Sequence, residues 1–269
     1  MRQQPSLARH LASAAVTAIL AVGLGGCQTM SDITGSITPN AEPAPSADAD
    51  PRRAADAYGE RYRANPKDAE AALAYGQALR ATGQRAQAVA VLEQATIAHG
   101  GNKALLAAYG RALADNGNFQ QAFDVLSKAH SPDNPDWRIL SVQGTALDQM
   151  GRHDDARRYY ASALKIAPEE PSVLSNLGLS YVLSKDLPKA EETLRRAYAN
   201  GKADARVRQN LGLVIGLQGR FAEAETIVKA DLPPEEAAAN VAYLKEMLSR
   251  KDARAGSGPM PVASLNRPD

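Results

Sequence analysis

Cysteine is almost missing from this chain of 269 residues: Cys27 is the only one. No internal disulfide framework is available, and one Cys with four scattered His does not supply a structural zinc site. Aromatic side chains make up 5% of the residues, which suits a helical array packed with Ala and Leu better than a strand protein. The formal charge of +1, with charged residues at 23%, gives no general attraction to nucleic acid. There is no HExxH pair, no phosphate-binding glycine loop and no Ser/His/Asp set, so neither catalysis nor a cofactor is expected, and no small-molecule substrate is implied. The most apolar run, Leu11 to Leu24, falls short of the roughly 20 residues that span a bilayer.

What the chain does have is a period. Gly76, Gly110, Gly144, Gly178 and Gly212 stand 34 residues apart. Ala88, Ala122, Ala156, Ala190 and Ala224 repeat the spacing, as do Leu79, Leu113, Leu147, Tyr181 and Ile215. A glycine inside a helix costs about 1 kcal/mol relative to alanine, so five of them need a packing reason. The sequence predicts helical hairpins in which Gly76 of a first helix faces Ala88 of a second, and likewise along the row. Gly83, Gly117, Gly151 and Gly219 keep the same phase as turn residues, with Lys185 in their place in the fourth unit. Lys185-Asp186 followed by Pro188 still restarts a helix, and is read as a tolerated variant rather than a hinge. First helices are predicted near 69–82, 103–116, 137–150, 171–184 and 205–218, and second helices near 85–98, 119–131, 153–167, 187–200 and 221–230.

These residues resemble the tetratricopeptide repeat. The third unit carries Leu140, Gly144, Leu147, Ala156, Tyr160, Ala163 and Pro168 at the pattern's positions. The fifth departs from it, with Arg208 at position 4 and Asp231 at position 27, and is read as the edge of the array. The resemblance covers about two-thirds of the chain. It implies an all-α solenoid, a right-handed superhelix of hairpins with the first helices on its concave side. Units are expected at 69–102, 103–136, 137–170, 171–204 and 205–232. A cap helix at 51–65 matches the second helix of a repeat that lacks its first. Its cations Arg52, Arg53, Arg61, Arg63 and Lys67 fit a solvated cap, with a partner-binding patch as the alternative. A second cap helix, 234–250, shows an apolar stripe of Val241, Leu244 and Leu248, and residues 251–269 are expected to be disordered.

In the resemblance, positions 2, 5, 9, 12 and 13 of each unit face the groove. In the first three units they are mostly polar or small, and among them Arg111 and Asp148 read as solvated charges. In the last two units they turn apolar: Leu179, Val182, Leu183, Leu213 and Leu217, with Asn176 and Asn210 at position 6. The expectation is an apolar, Asn-lined groove for a helix or extended segment of a protein partner. The competing reading is that the terminal helix covers these leucines.

Ahead of the array, Arg2 and Arg9 precede the apolar run, and Leu24-Gly25-Gly26-Cys27 resembles a bacterial lipobox. That resemblance implies a signal peptide over 1–26 and acyl and diacylglycerol groups on Cys27. A plain secretory signal with an incidental Cys is the alternative. One acyl chain anchors only marginally, and two or three anchor firmly. Gln28 in place of Asp implies the outer membrane, on the periplasmic face. Residues 27–50, with Pro39, Pro43 and Pro45, read as a flexible tether. The segments Ala203–Leu211, Gln218–Glu225 and Asp231–Leu244 are similar to those of TadD-type lipoproteins of the Tad (tight adherence) or Flp pilus assembly system. That family implies a non-enzymatic adaptor whose partner is a secretion component such as the secretin. A general envelope-biogenesis adaptor is the alternative.

Overall fold

The computed structural model describes residues 50–256. The lipobox with Cys27, residues 27–49 of the tether and residues 257–269 lie outside them. Among the described residues twelve helices follow one another: α1 (Pro51–Ala64), α2 (Ala69–Ala81), α3 (Arg85–Ala98), α4 (Lys103–Asp115), α5 (Phe119–Ala129), α6 (Trp137–Gln149), α7 (His153–Ile166), α8 (Pro171–Leu183), α9 (Leu187–Ala199), α10 (Ala205–Leu217), α11 (Phe221–Val228) and α12 (Pro234–Gly256).

The first helix of every repeat begins at the same phase. Asp68, Asn102, Asp136, Glu170 and Asp204 precede α2, α4, α6, α8 and α10, and each side chain accepts a backbone N–H of the first turn. An N-cap of this kind satisfies donors that the helix itself leaves open. The hairpin turns are equally regular. The N–H groups of Gln84, Asn118, Arg152, Asp186 and Arg220 donate to the carbonyls of Leu79, Leu113, Leu147, Tyr181 and Ile215 at 2.8–3.2 Å. This closure needs a left-handed residue just after the helix. Gly83, Gly117, Gly151 and Gly219 supply it at φ between 76° and 86°, and Lys185 is forced into it at φ 63°.

The five mid-helix glycines meet more than the alanines twelve residues on that the sequence predicts. A Cβ on Gly110 or Gly212 would lie 3.4 Å from the Ala122 or Ala224 carbonyl oxygen, but the nearest neighbour of each glycine is the larger residue one turn further. A Cβ on Gly76, Gly110, Gly144 or Gly212 would fall 2.5 Å from a side-chain atom of Leu92, Leu126, Tyr160 or Val228, and one on Gly178 would fall 2.6 Å from Leu194. The alanine ladder is buried beside these contacts, with Ala88, Ala122, Ala156 and Ala190 fully covered. The physical reason is that the hairpin axes are held close by a knob entering a hole. A small residue opposite each glycine would have left a void.

Each first helix packs on the second helix of its own repeat and on both helices of the repeat before it. Consecutive first helices touch, and no comparable packing joins consecutive second helices, so the row curves with its first helices inside. Helix α1 covers α2 in the place of a preceding second helix, with Gly59 under Tyr75 and the Tyr62 and Tyr75 rings 5.7 Å apart. Its cations Arg52, Arg53, Arg61, Arg63 and Lys67 are exposed, interspersed with exposed Asp56 and Glu60. At the other end, α12 packs on α10 and α11, in the place of a sixth first helix. It runs past the expected end at residue 250, because Lys251 to Ala255 hold no helix breaker ahead of Gly256.

The departures at positions 4 and 27 of the fifth repeat explain each other. The Arg208 guanidinium donates through Nε and Nη2 to the Asp231 carboxylate, and through Nη1 to the Ala203 carbonyl at 3.0 Å. An ion pair thus stands where the other repeats place apolar residues. Removing one partner would leave a half-buried charge. The turn after α8 provides a direct check on the backbone account. Lys185→Gly relieves a left-handed non-glycine residue, whose cost is about 1–2 kcal/mol, and is expected to raise unfolding stability by about 0.5–1 kcal/mol with an unchanged denaturant slope.

Candidate functional site

Positions 9 and 13 of a first helix lie one turn apart on the same face. Along the row these pairs read Gln77/Ala81, Arg111/Asp115, Thr145/Gln149, Leu179/Leu183 and Leu213/Leu217. The last two pairs stand on α8 and α10, which pack on each other; all four leucines are half-buried, and Leu217 packs against the cluster of Leu211, Val214 and Ile215. Val182 is more deeply placed. It is 8% exposed and packs with Ala190, Leu194, Leu211, Val214 and Ile215. Helix α12 seats its own Leu244 on Gly216, and Val241 packs against that same cluster.

Asn176 and Asn210 are tied to the scaffold. The Asn176 Nδ2 donates to Ser141 Oγ at 3.0 Å, and the Asn210 Nδ2 to Ser175 Oγ at 2.8 Å, each bond reaching back to the preceding repeat. Both serines are buried. Each amide therefore spends one hydrogen on joining repeats and keeps its carbonyl free of these bonds. The signal was present in the sequence as Ser141/Asn176 and Ser175/Asn210, two pairs at one spacing, but a serine opposite an asparagine has no meaning until adjacent helices are set in register.

Asp148 is not a solvated charge. It is 6% exposed and joins three helices. It accepts from Tyr160 Oη at 2.9 Å and Ser180 Oγ at 2.8 Å, and lies 2.9 Å from His153 Nδ1. Burial pushes its carboxyl above the usual 3.8, against the opposing hydrogen bonds of His153, Ser180 and Tyr160. Burial, with the Asp148 charge, also pushes the Tyr160 hydroxyl well above 10.0. The other two described histidines also meet polar partners. His99 Nε2 lies 2.8 Å from the Lys67 carbonyl, and His130 Nε2 lies 3.3 Å from Gln143 Oε1.

Glu191 on α9 anchors the joint to the fifth repeat. Its carboxylate meets Arg220 at 2.5 Å and Arg195 at 2.7 Å, and accepts from Gln218 Nε2 at 2.8 Å. The Arg220 contact, followed by Arg195 and Gln218, draws its pKa from 4.5 down to about 2. Among the described residues, no group of three His, Cys, Asp or Glu is placed to hold a metal ion. No helix among them is long and apolar enough to cross a membrane.

With this geometry in view, the fold class is plain: the described chain is an all-α tetratricopeptide-repeat solenoid. A tetratricopeptide repeat family model matches residues 142–205, and one for anaphase-promoting complex, cyclosome, subunit 3 matches residues 53–129. Solved structures share the fold. PilW, described as a widely conserved type IV pilus biogenesis factor, is 18% identical, with 71% of this chain and 90% of PilW covered at a TM-score of 0.61. A thermophilic repeat protein of Thermus thermophilus is 20% identical, with 66% and 98% covered at 0.59. The Cut9–Hcn1 hetero-tetramer of the APC/C is 16% identical over 73% of this chain at 0.57, and the match spans 40% of that structure's chain. No curated protein matches.

The Glu191 cluster carries a pH dependence of known sign. A carboxyl lowered in the fold adds stability above its unfolded pKa, and that stability is lost as pH falls through the folded value. Glu191→Gln is expected to cost about 1 kcal/mol at pH 7, since its partners are half-exposed, and the deficit should close between pH 4.5 and about 2. Chemical denaturation across that range checks it.

Proposed function

We propose that the chain is a non-enzymatic protein-binding adaptor for Flp-type pilus assembly, an outer-membrane lipoprotein of the TadD kind held through acyl groups on Cys27. The observation that carries the binding part is that Leu179, Leu183, Leu213 and Leu217 are half-buried at positions 9 and 13 of adjoining first helices, positions that are polar or small in the other three repeats. Apolar residues one turn apart on two adjoining helices suit a partner segment that presents an apolar stripe. The pilus part rests on the TadD-like segments and the lipobox. PilW adds that this repeat fold serves a pilus factor elsewhere; at 18% identity it speaks for the fold. Fixing the array to a membrane raises the effective concentration of a partner on the same surface, so a weak contact suffices. A secretion component such as the secretin is the partner this reading expects.

Leu213→Asp in the full chain tests it. The residue is half-buried and lies outside the core clusters, so melting should shift little while surface pili are lost and photo-crosslinking from position 179 falls by at least about tenfold. Normal piliation with an unchanged crosslink would overturn the reading. Envelope sensitivity to detergent with normal pili would move the role to general envelope assembly.

A further inference from the structure

Every joint between consecutive repeats carries a side-chain tie, and the joint of α12 with the fifth repeat shows no side-chain hydrogen bond or ion pair among the described residues. Arg80 meets Asp115 at 2.7 Å between the first and second repeats. Gln143 donates to Ser127 at 3.0 Å between the second and third. Ser180 donates to Asp148 at 2.8 Å between the third and fourth. Asn210 and Gln218 reach Ser175 and Glu191, both at 2.8 Å, between the fourth and fifth. Helix α12, through Arg250, keeps its polar bonds to itself: Arg250 to Glu246 at 2.6 Å and Ser249 Oγ to the Glu246 carbonyl at 2.9 Å. Toward the array, Lys245 Nζ lies 5.8 Å from the centre of the Phe221 ring.

What seats α12 is an apolar stripe: Ala237, Val241, Leu244 and Leu248. Of these Ala237 is 0% exposed and Leu244 8%, and the other two are half-buried. Leu244 enters the notch at Gly216, where a Cβ would come within 2.5 Å of its Cδ2. The hairpin below is itself the lightest of the five. Helix α11 has 8 residues where the other second helices have 11 to 14, and its knob is Val228 in place of Leu or Tyr. On the outer side, Ala238, Ala239, Ala242, Lys245, Glu246 and Ser249 are exposed, mostly small and charged groups, with the Tyr243 ring standing 64% exposed among them.

We propose that α12 is a releasable latch on the end of the array, and that its slot, once bared, takes an amphipathic helix with apolar residues at the spacing of Ala237, Val241, Leu244 and Leu248. Release uncovers Gly216 and the flank of the cluster of Leu211, Val214 and Ile215 on which Val241 now packs. It breaks no hydrogen bond to the array among the described residues. Opening any earlier joint breaks at least one. The slot lies at the end of the row and adjoins Leu217, which packs on the same cluster as Val241.

The test uses the full chain, its Leu244→Asp variant, a Tyr243→Ala control at a 64% exposed position, and a fluorescent peptide of residues 234–250 as the probe. In the unaltered chain, α12 amides are expected to exchange at least about tenfold faster than those of α8, because they open without global unfolding. The Leu244→Asp chain is expected to bind the peptide at least about tenfold tighter than the unaltered or Tyr243→Ala chain, since its slot is open more of the time. Exchange of α12 in step with α8, or equal peptide binding by all three chains, would overturn the proposal. If Leu244→Asp does not fold, as judged by its melting, the exchange pattern of the unaltered chain decides alone.

Discussion

The seat of a large side chain on a bare helix backbone is the contact on which the structure depends. Gly76, Gly110, Gly144, Gly178 and Gly212 each receive a residue sixteen positions on, and any side chain at these glycines would collide with it. The contact fixes how near the two helices of a hairpin approach. That distance sets where the exposed flank of each hairpin stands, and so where the next one docks. N-caps and left-handed turns at the same phase make every hairpin nearly the same object, so one geometry propagates along the row.

On that uniform frame the polar ties mark individual joints. Asp148 binds three helices from a buried position, Glu191 gathers two arginines and a glutamine, and two Asn–Ser pairs stitch α6, α8 and α10. These groups make the middle and later joints distinct from one another, while the apolar inner face of the fourth and fifth repeats is left to the leucines. On α8 and α10 scaffold and candidate surface thus divide the same helices: Asn176, Ser180 and Asn210 join repeats, and the leucines stand at positions 9 and 13.

The fold was readable in the sequence because its determinants are periodic. Helix bounds, the turn glycines and even the tolerance of Lys185 follow from one spacing. The large residue one turn beyond each alanine was missed as the glycine's nearest neighbour, since periodicity tells which residues are equivalent and is silent on which touch. Asp148 was misread for a similar reason: a carboxylate at an inward position looks solvated until Tyr160, His153 and Ser180 are seen converging on it. Arg208 and Asp231 looked like two losses of pattern and are one exchange, legible only when positions 4 and 27 are known neighbours. The four leucines were picked out by residue type alone. Val182 was not separable from them, because one residue's difference on a helix face turns a half-buried side chain into a core one.

The seat of Leu126 on Gly110 gives the most direct test of this account. Stability is measured for Gly110→Ala, for Leu126→Ala and for both together. Alone, Gly110→Ala should cost about 2 kcal/mol in spite of alanine's better helix propensity, because its Cβ meets Leu126 at 2.5 Å. In the Leu126→Ala background the same change should cost nothing or stabilise by up to about 1 kcal/mol, a coupling of at least about 2 kcal/mol. Equal effects of Gly110→Ala in both backgrounds would contradict the account.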